Sequence, residues 1–492
     1  MNVETETLMR ALADAGLLVD RRGTLPKQVL GITDDSRRVA VGGAFVAVRG
    51  SERDGHDYLD TAANAGAGMA ILQDPSRTTL PALVVNDGRR AAAVAGAAYY
   101  GFPAKELRLA GVTGTNGKTT TVNMLRHLLD EPDSHSASIG TLGVLIGSEG
   151  APCEGGGGLT TPGPIELQRV FRELRTRGVG CVAMEVSSHS LDQDRVAGVS
   201  FDVAVFTNLT RDHLDYHGTM ENYFAAKAKL LEHLTPNGTV VYNVDDVAWT
   251  GLGVDRRRIG FSERSSNAEV HAEDVAFGAR GSEWTLCVAN ERVHITLPLI
   301  GDFNVINALG AAASAFALGV SVERIGQRLS TMPQVPGRLE VVLESPTVLR
   351  DYAHTPDALE RALDAVRPFA PERLIVVFGC GGDRDKGKRP QMGAIAEEKS
   401  DLAIVTSDNP RTEDPEAILD DIERGMKREN HERIEDRRSA IARALDVARP
   451  DDVVVLAGKG HEDYQVRGTT KYPFDEKIIV NELAAEAGLG RR

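Results

Sequence analysis

One ten-residue stretch limits the folds open to this chain more than any other: Gly111-Val112-Thr113-Gly114-Thr115-Asn116-Gly117-Lys118-Thr119-Thr120. Residues 107–112 read as a strand, Gly114 to Gly117 as a turn and residues 118–129 as a helix. Backbone N–H groups of such a turn, with the open helix N-terminus, cradle phosphate oxygens. Lys118 would neutralise charge on the outer phosphates, and the Thr119 hydroxyl would reach a Mg²⁺ ion. The spacing is a variant of the common phosphate loop, because Val112 stands where a further Gly is usual. A plain strand–helix turn with a solvated lysine needs none of this; two Gly, a Lys and three Thr at one junction favour the cradle.

The same order, an apolar strand running into polar or Gly-rich residues, recurs at residues 181–186, 203–206, 239–242, 347–351, 374–378, 402–406 and 453–456. Strands alternating with helices predict an α/β fold with mostly parallel sheets. Ligands then sit beyond the carboxyl ends of the strands, where the polar clusters fall. Breaks at Gly101-Phe102-Pro103 and Pro336-Gly337 predict three domains, residues 1–104, 105–336 and 337–492. They read as a smaller N-terminal α/β domain, a central P-loop-type sheet with helices, and a C-terminal Rossmann-like α/β domain. The Gly-rich residues 147–158 are expected to form a mobile surface loop.

Charge and cysteine usage exclude several functions. The 492 residues carry 56 Lys plus Arg and 71 Asp plus Glu, a formal charge of −15. Such an excess argues against non-specific nucleic-acid binding. Cys153, Cys181, Cys287 and Cys380 form no CxxC pair, so a zinc knuckle or disulfide framework is not expected. Buried free thiols in a reducing compartment are expected instead. The acidic N-terminus lacks a signal-peptide pattern and no apolar run reaches the ~20 residues of a membrane span. A cytoplasmic protein that works on small molecules, with neither nucleic acid nor membrane as partner, is the expectation.

From the Thr113–Thr120 loop onward, the sequence resembles the Mur ligase family. Further matching segments are Met184-Glu185-Val186-Ser187-Ser188-His189-Ser190, Asn208-Leu209-Thr210-Arg211-Asp212-His213-Leu214-Asp215-Tyr216-His217, Tyr223-Phe224-Ala225-Ala226-Lys227, Gly301-Asp302-Phe303-Asn304-Val305-Ile306-Asn307, Gly337-Arg338, Asp351-Tyr352-Ala353-His354-Thr355-Pro356 and Asp408-Asn409-Pro410-Arg411. The resemblance implies domains for UDP-sugar, ATP and amino-acid binding, and a monomer. It implies ATP-dependent ligation of meso-diaminopimelate to the D-Glu carboxylate of UDP-N-acetylmuramoyl-L-Ala-D-Glu, through an acyl phosphate, toward peptidoglycan. ATP and Mg²⁺ are the implied cofactors.

The resemblance also implies residue roles. Gly114, Thr115, Asn116, Gly117, Lys118, Thr119, Thr120, Asn304, Asn307, Arg338 and Asp351 would bind ATP. Thr119, Glu185, His213 and Lys227 as a carbamate would hold Mg²⁺, with Lys118, Lys227 and His213 catalytic. A carbamate needs a neutral amine, so burial or nearby cations should lower the Lys227 pKa. Ser36, Ser51, Glu52, Arg53, Thr160, Thr161, Ser187, Gln193 and Arg195 would contact the UDP-muramoyl-dipeptide. Arg384, Asp408, Asn409, Pro410, Arg411, Gly458 and Glu462 would bind the amino acid. A guanidinium grips a carboxylate through two parallel N–H bonds, so Arg411 would favour diaminopimelate over lysine. Read from residues alone, Arg411 could equally form a salt bridge with Glu413 or Asp414. Other amide ligases, such as the lysine-adding relative or a folylpolyglutamate synthetase, and a P-loop regulatory ATPase are the alternatives.

Overall fold

The structure, a computed structural model, describes residues 2–50, 53–156, 158–253, 255–278 and 280–489. The chain divides into two compact units. One comprises Met1–Glu273, Leu286–Val293 and Ile306–Arg328, the other Asp274–Thr285, His294–Val305 and Leu329–Arg492.

The first unit begins with helix α1 (Thr5–Asp14) and strands β1 (Leu18–Arg22), β2 (Ile32–Thr33), β3 (Ala44–Val46), β4 (Met69–Leu72) and β5 (Ala82–Val85), followed by α2 (Gly88–Tyr99). The strands form one sheet in the order β1-β5-β4-β3-β2, parallel except for β1. Asp87 caps α2 by accepting the Arg89 and Arg90 N–H groups. The alanines of α2 are small enough for close packing; a Cβ at Gly96 would come within 3.1 Å of Ile165 Cα.

The second sheet of this unit follows. Its elements are β6 (Arg108–Thr113), α3 (Lys118–Leu129), β7 (His135–Gly140), β8 (Gly143–Ile146), β9 (Ala151–Cys153), α4 (Pro164–Thr176), β10 (Val179–Glu185), α5 (Ser188–Asp192), β11 (Phe201–Phe206), α6 (Met220–Ala228), β12 (Leu234–Asn243) and β13 (Arg257–Ser262). The order β9-β8-β7-β10-β6-β11-β12-β13 puts β6 beside both β10 and β11, all parallel. Leu109, Ala110, Val112 and Val182 are wholly buried, as central strands covered on both faces require. Strands β14 (Val270–Gly278), β15 (Gly281–Val288) and β16 (Glu291–Leu297) come next, then helix α7 (Phe303–Ala317).

Within the 147–158 segment expected as a loop, Ala151–Cys153 form a strand, and Gly157 lies outside the described residues. β8 and β9 pair antiparallel, Val144 with Cys153 and Ile146 with Ala151, leaving a tight turn between them. The buried Arg126 guanidinium donates to the carbonyls of Gly147 and Ser148. Glycine content suggested flexibility, but here Gly147 and Gly150 supply positive φ at a hairpin turn.

The second unit carries β17 (Glu340–Glu344), β18 (Thr347–Asp351), α8 (Pro356–Val366), β19 (Leu374–Phe378), α9 (Lys388–Lys399), β20 (Leu402–Val405), α10 (Pro415–Glu423), β21 (His431–Arg433), α11 (Arg437–Val447), β22 (Val453–Ala457), β23 (Tyr464–Arg467), β24 (Thr470–Pro473) and α12 (Glu476–Glu486). Its main sheet has the order β17-β18-β22-β19-β20-β21 and is parallel from β18 to β21. Two apolar cores cover its faces, one through Leu359, Met392 and Leu419, the other through Ile441, Ala444 and Val480. Both units are the expected α/β architecture. No helix among the described residues is long and apolar enough to cross a membrane.

Candidate active site

The β6–α3 turn takes the cradle shape. Gly114 and Gly117 have φ of 151° and 84°, a region closed to most side chains. Gly117 stands at the start of α3 with no side-chain cap, so the first N–H groups of the helix face outward as donors. The turn is pinned from the end of β11: Thr115 N–H donates to Asn208 O at 2.8 Å, Asn116 N–H to Asn208 Oδ1 at 2.9 Å, and Thr207 Oγ1 to Asn116 O at 2.7 Å. A Cβ at Gly114 would collide with Thr207 Oγ1, and one at Gly117 with Asn307 Oδ1. Asn307 therefore lies against the turn, and Thr119 and Thr120 are buried beneath it.

Two lysine side chains converge on this turn. Lys118 Nζ donates to the carbonyls of Gly114 (2.9 Å) and Thr115 (2.7 Å), and Lys227 Nζ to Gly114 at 2.7 Å. Lys227 is 1% exposed and lies 4.4 Å from the Tyr223 ring centroid. Burial, and then the charge of Lys118, push its pKa well below the usual lysine range. Lys229, two residues on, is half-exposed and pairs with Asp192 at 2.9 Å.

Glu185 ends β10 almost wholly buried. Its Oε1 accepts the Thr141 N–H at 2.8 Å and its Oε2 the Thr141 hydroxyl at 3.3 Å. Thr141 carried no sequence signal beyond its place after the strand-ending Gly140, where any Cβ would strike Glu185. His213 has φ of 52° and sits edge-on to His189, ring centroids 4.8 Å apart. Burial lowers the pKa of both, with that of His189 pushed down to about 4 by burial and the neighbouring His213 and His217. The imidazoles therefore stay neutral near pH 7. Thr119, Glu185 and His213 offer two oxygen donors and one nitrogen donor, a set compatible with the mostly oxygen ligands that Mg²⁺ takes.

The predicted dipeptide contacts form one hydrogen-bonded group. The Thr161 hydroxyl donates to Glu185 O (2.9 Å), Ser187 N–H to Thr161 Oγ1 (3.1 Å), and Arg195 Nη1 to Thr161 O (3.2 Å). Arg195 Nη2 also holds Gln193 Oε1 at 2.6 Å, and Thr160 Oγ1 lies 3.5 Å from Thr141 Oγ1. Ser36 is buried in a short turn capped by Asp35. Burial raises the pKa of its neighbour Asp34. Arg53 is exposed and accepts the Gly50 N–H through its carbonyl, at 2.8 Å. Ser51 and Glu52 lie outside the described residues.

In the second unit, Asp351 accepts the N–H groups of Leu339 (2.8 Å) and Ala353 (2.9 Å), which fixes Arg338 beside it and over the Tyr352 ring. Asn304 donates to Ile300 O at 2.8 Å within its own turn. The strand ends of β19, β20 and β22 meet in a polar nest. Asn409 Nδ2 donates to Glu462 Oε2 at 2.8 Å, and the fully buried Lys459 Nζ reaches Asn409 Oδ1 (3.2 Å), Glu462 Oε2 (3.3 Å) and Asp408 Oδ1 (3.7 Å). Gln465 Nε2 donates to Asp408 O at 2.8 Å. A Cβ on Gly458 would lie 2.6 Å from Asp408 Oδ2. Lys459 was not singled out from sequence, although a lysine between glycines after an all-apolar strand signals burial.

Arg411 does not pair with Glu413 or Asp414. Glu413 is taken by Arg389 (2.9 Å) and Lys386 (2.9 Å), which hold its carboxyl at about 2. Arg411 donates instead to Gly382 O at 2.7 Å, at φ of 52°, and forms no ion pair among the described residues. Pro410 closes against Gly382, and Arg384 is exposed, donating to its neighbour's carbonyl at 3.1 Å. His213, Leu339, Asp383 and Arg411 are all non-glycine residues at positive φ and all lie in or beside these clusters. Such strain gathers at functional sites.

Residues 112–315 match the Mur ligase middle domain and residues 337–460 the Mur ligase, glutamate ligase domain. The chain is 42% identical over 474 residues to UDP-N-acetylmuramoyl-L-alanyl-D-glutamate–2,6-diaminopimelate ligase 1 of Clostridium acetobutylicum, covering 94% of this chain and 96% of that one. It is 44% identical over 492 residues to the corresponding ligase of Gloeobacter violaceus, covering 99% and 98%. A solved UDP-N-acetylmuramoyl-L-alanyl-D-glutamate–2,6-diaminopimelate ligase superposes with a TM-score of 0.69 at 30% identity, covering 99% of this chain and all of that one, 100%. The MurF ligase of Thermotoga maritima in complex with ADP shares the fold, with a TM-score of 0.66 at 20% identity over 92% of this chain and 97% of that one. Fold and matches define an ATP-dependent amide ligase. The chain belongs to the Mur ligase family.

Proposed function

We propose that this chain joins meso-diaminopimelate to the D-Glu carboxylate of UDP-N-acetylmuramoyl-L-Ala-D-Glu, with ATP converted to ADP and phosphate, in the cytoplasm. The observation that carries the choice of amino acid is Arg411, a guanidinium with no acidic partner among the described residues, beside a nest in which Lys459 faces Asp408 and Glu462. The similarity to 2,6-diaminopimelate ligases over nearly the whole chain supports the same choice. We assign residues 1–104, 105–336 and 337–492 to UDP-sugar, ATP and amino-acid binding.

The Gly114–Thr120 turn binds the triphosphate, and Lys118 offsets charge on the transferring phosphoryl group. The dipeptide carboxylate attacks the γ-phosphorus and ADP leaves. The diaminopimelate amine then attacks the acyl carbon, phosphate departs, and the amine proton goes to solvent. Thr161, Ser187, Gln193 and Arg195 orient the acceptor. Thr119, Glu185, His213 and carbamylated Lys227 are the residues that would hold Mg²⁺. The ion, when bound, offsets phosphate charge. The lowered Lys227 pKa supports carbamylation there, because a neutral amine is the form that takes up CO₂. Arg411 grips the distal carboxylate while Asp408, Asn409 and Glu462 receive the distal ammonium.

Phosphate release measured with the dipeptide nucleotide, and meso-diaminopimelate or L-lysine in parallel, tests the proposal. Release is expected only with ATP, acceptor and diaminopimelate together. Equal turnover with lysine would remove the specificity, and turnover of ATP alone would favour a regulatory ATPase.

A further inference from the structure

Toward the far edge of the sheet that carries the cradle, β14 carries His271 and Glu273. Their spacing of two sends both side chains from one face. The neighbouring strand β15 carries Cys287. All three residues belong to the first unit. A ring nitrogen of His271, a carboxylate oxygen of Glu273 and Sγ of Cys287 lie within 4.8 Å of one another. His271 Nε2 is 3.4 Å from Glu273 Oε1. Tetrahedral bonds of about 2.0–2.3 Å hold donor atoms roughly 3.3–3.7 Å apart, so small side-chain rotations bring the set onto one ion.

The imidazole is already turned for this. His271 Nδ1 lies 3.0 Å from the Ala268 carbonyl, which only accepts, so Nδ1 carries the proton. In the neutral ring Nε2 then presents its lone pair to Glu273. A carbonyl-oriented imidazole with its second nitrogen free is the usual arrangement of a metal-ligating histidine. A cation set between that lone pair and the carboxylate oxygen would be held by both. Arg292 Nη2, 2.9 Å from Glu273 Oε2, fixes the orientation of the carboxylate. Cys287 is buried, and its thiol supplies the soft donor.

We propose that His271, Glu273 and Cys287 bind a borderline divalent cation of the Zn²⁺ class, with water as fourth ligand, clamping β14 to β15. A thiolate–imidazole–carboxylate set selects Zn²⁺ over Mg²⁺. Binding releases the thiol proton to solvent and sets one Glu and one thiolate charge against the ion. The site is separate from the Mg²⁺ donors proposed above and stands without the ligase reading.

The test uses the full chain, stripped with a chelator that is then dialysed away, and titrated with Co²⁺ alone. A thiolate-to-cobalt charge-transfer band in the near ultraviolet is expected to saturate at a single equivalent, to vanish on adding Zn²⁺ and to survive excess Mg²⁺. Cobalt on the oxygen-rich donors near Glu185 gives no such band. The band should be absent in Cys287→Ser, and affinity should fall roughly tenfold or more in His271→Gln. Zn²⁺ should raise the melting temperature of the parent but not of His271→Gln. If Cys287→Ser does not fold, His271→Gln and Glu273→Gln decide, since their side chains lie nearer the surface. No thiolate band in the parent, or a band unchanged in His271→Gln, would overturn the site.

Discussion

The phosphate turn and the polar nest of the second unit handle charge in opposite ways. In the turn, Lys118 and Lys227 share the Gly114 carbonyl, and burial together with the Lys118 charge drives the Lys227 amine toward its neutral form, so like charges are kept apart. In the nest, Lys459 is ringed by Asp408, Asn409 and Glu462, so opposite charges meet. The first arrangement offers the Lys118 charge and the open N–H groups of the turn to a polyphosphate. The second sets two carboxylates against one ammonium, so it keeps an excess negative charge that favours a further cationic group. Its selectivity must come from geometry and from Arg411, which has no such counter-charge among the described residues.

The contrast can be broken most sharply at Lys118. Lys118→Ala should cost about 3–4 kcal/mol of transition-state stabilisation, a roughly 10²–10³-fold fall in kcat/KM by phosphate release. Its melting temperature should hold, because the Lys118 ammonium contributes little to the surrounding core beyond two hydrogen bonds to turn carbonyls. A variant keeping more than a tenth of the activity would mean that the turn's charge is not used.

Arg411→Ala should lower kcat/KM for meso-diaminopimelate by roughly 10²-fold, near 3 kcal/mol for a lost charge pair. Turnover with L-lysine should barely move. Equal losses on both would make Arg411 a scaffold rather than a selector.

Lys459→Met tests the nest. Removing one partner of a buried charge cluster strands Asp408 and Glu462, so stability should drop by roughly 3 kcal/mol in denaturant unfolding. An unchanged midpoint would show that the nest is not held together by its charges.

The smallest effect concerns pH. A lysine whose pKa is depressed is neutral above that value and protonated below it, and only the neutral amine carries a carbamate. Activity should therefore fall as pH drops through the lowered pKa and recover several-fold, about half a log unit, with added bicarbonate. A profile insensitive to bicarbonate, together with full activity in Lys227→Ala, would rule the carbamate out.

Much of this was legible because it depends on short-range pattern. Parallel strands covered on both faces read as continuous apolar runs, and ligands gather at their carboxyl ends. That placed Glu185, Asp351, Asp408 and Gly458 before any coordinates. Thr141 and Lys459 were not foreseen, since their roles arise only when separate strands lie side by side: Thr141 meets Glu185 across 44 residues and Lys459 meets Asn409 across 50. The 147–158 segment misled for a related reason. Glycine signals loop freedom locally, while Arg126, from a distant helix, ties this turn down.

Local sequence determined the cradle, because a Gly-rich turn between strand and helix needs only its own backbone to aim N–H groups at an anion. Tertiary structure alone decided which charges face one another. Glu413 was free to pair with Arg411 by proximity in the chain, yet Arg389 and Lys386 reach it in the fold and leave Arg411 turned toward Gly382. Electrostatic partnership depends on distance in space and on burial, and neither is fixed by distance along the chain.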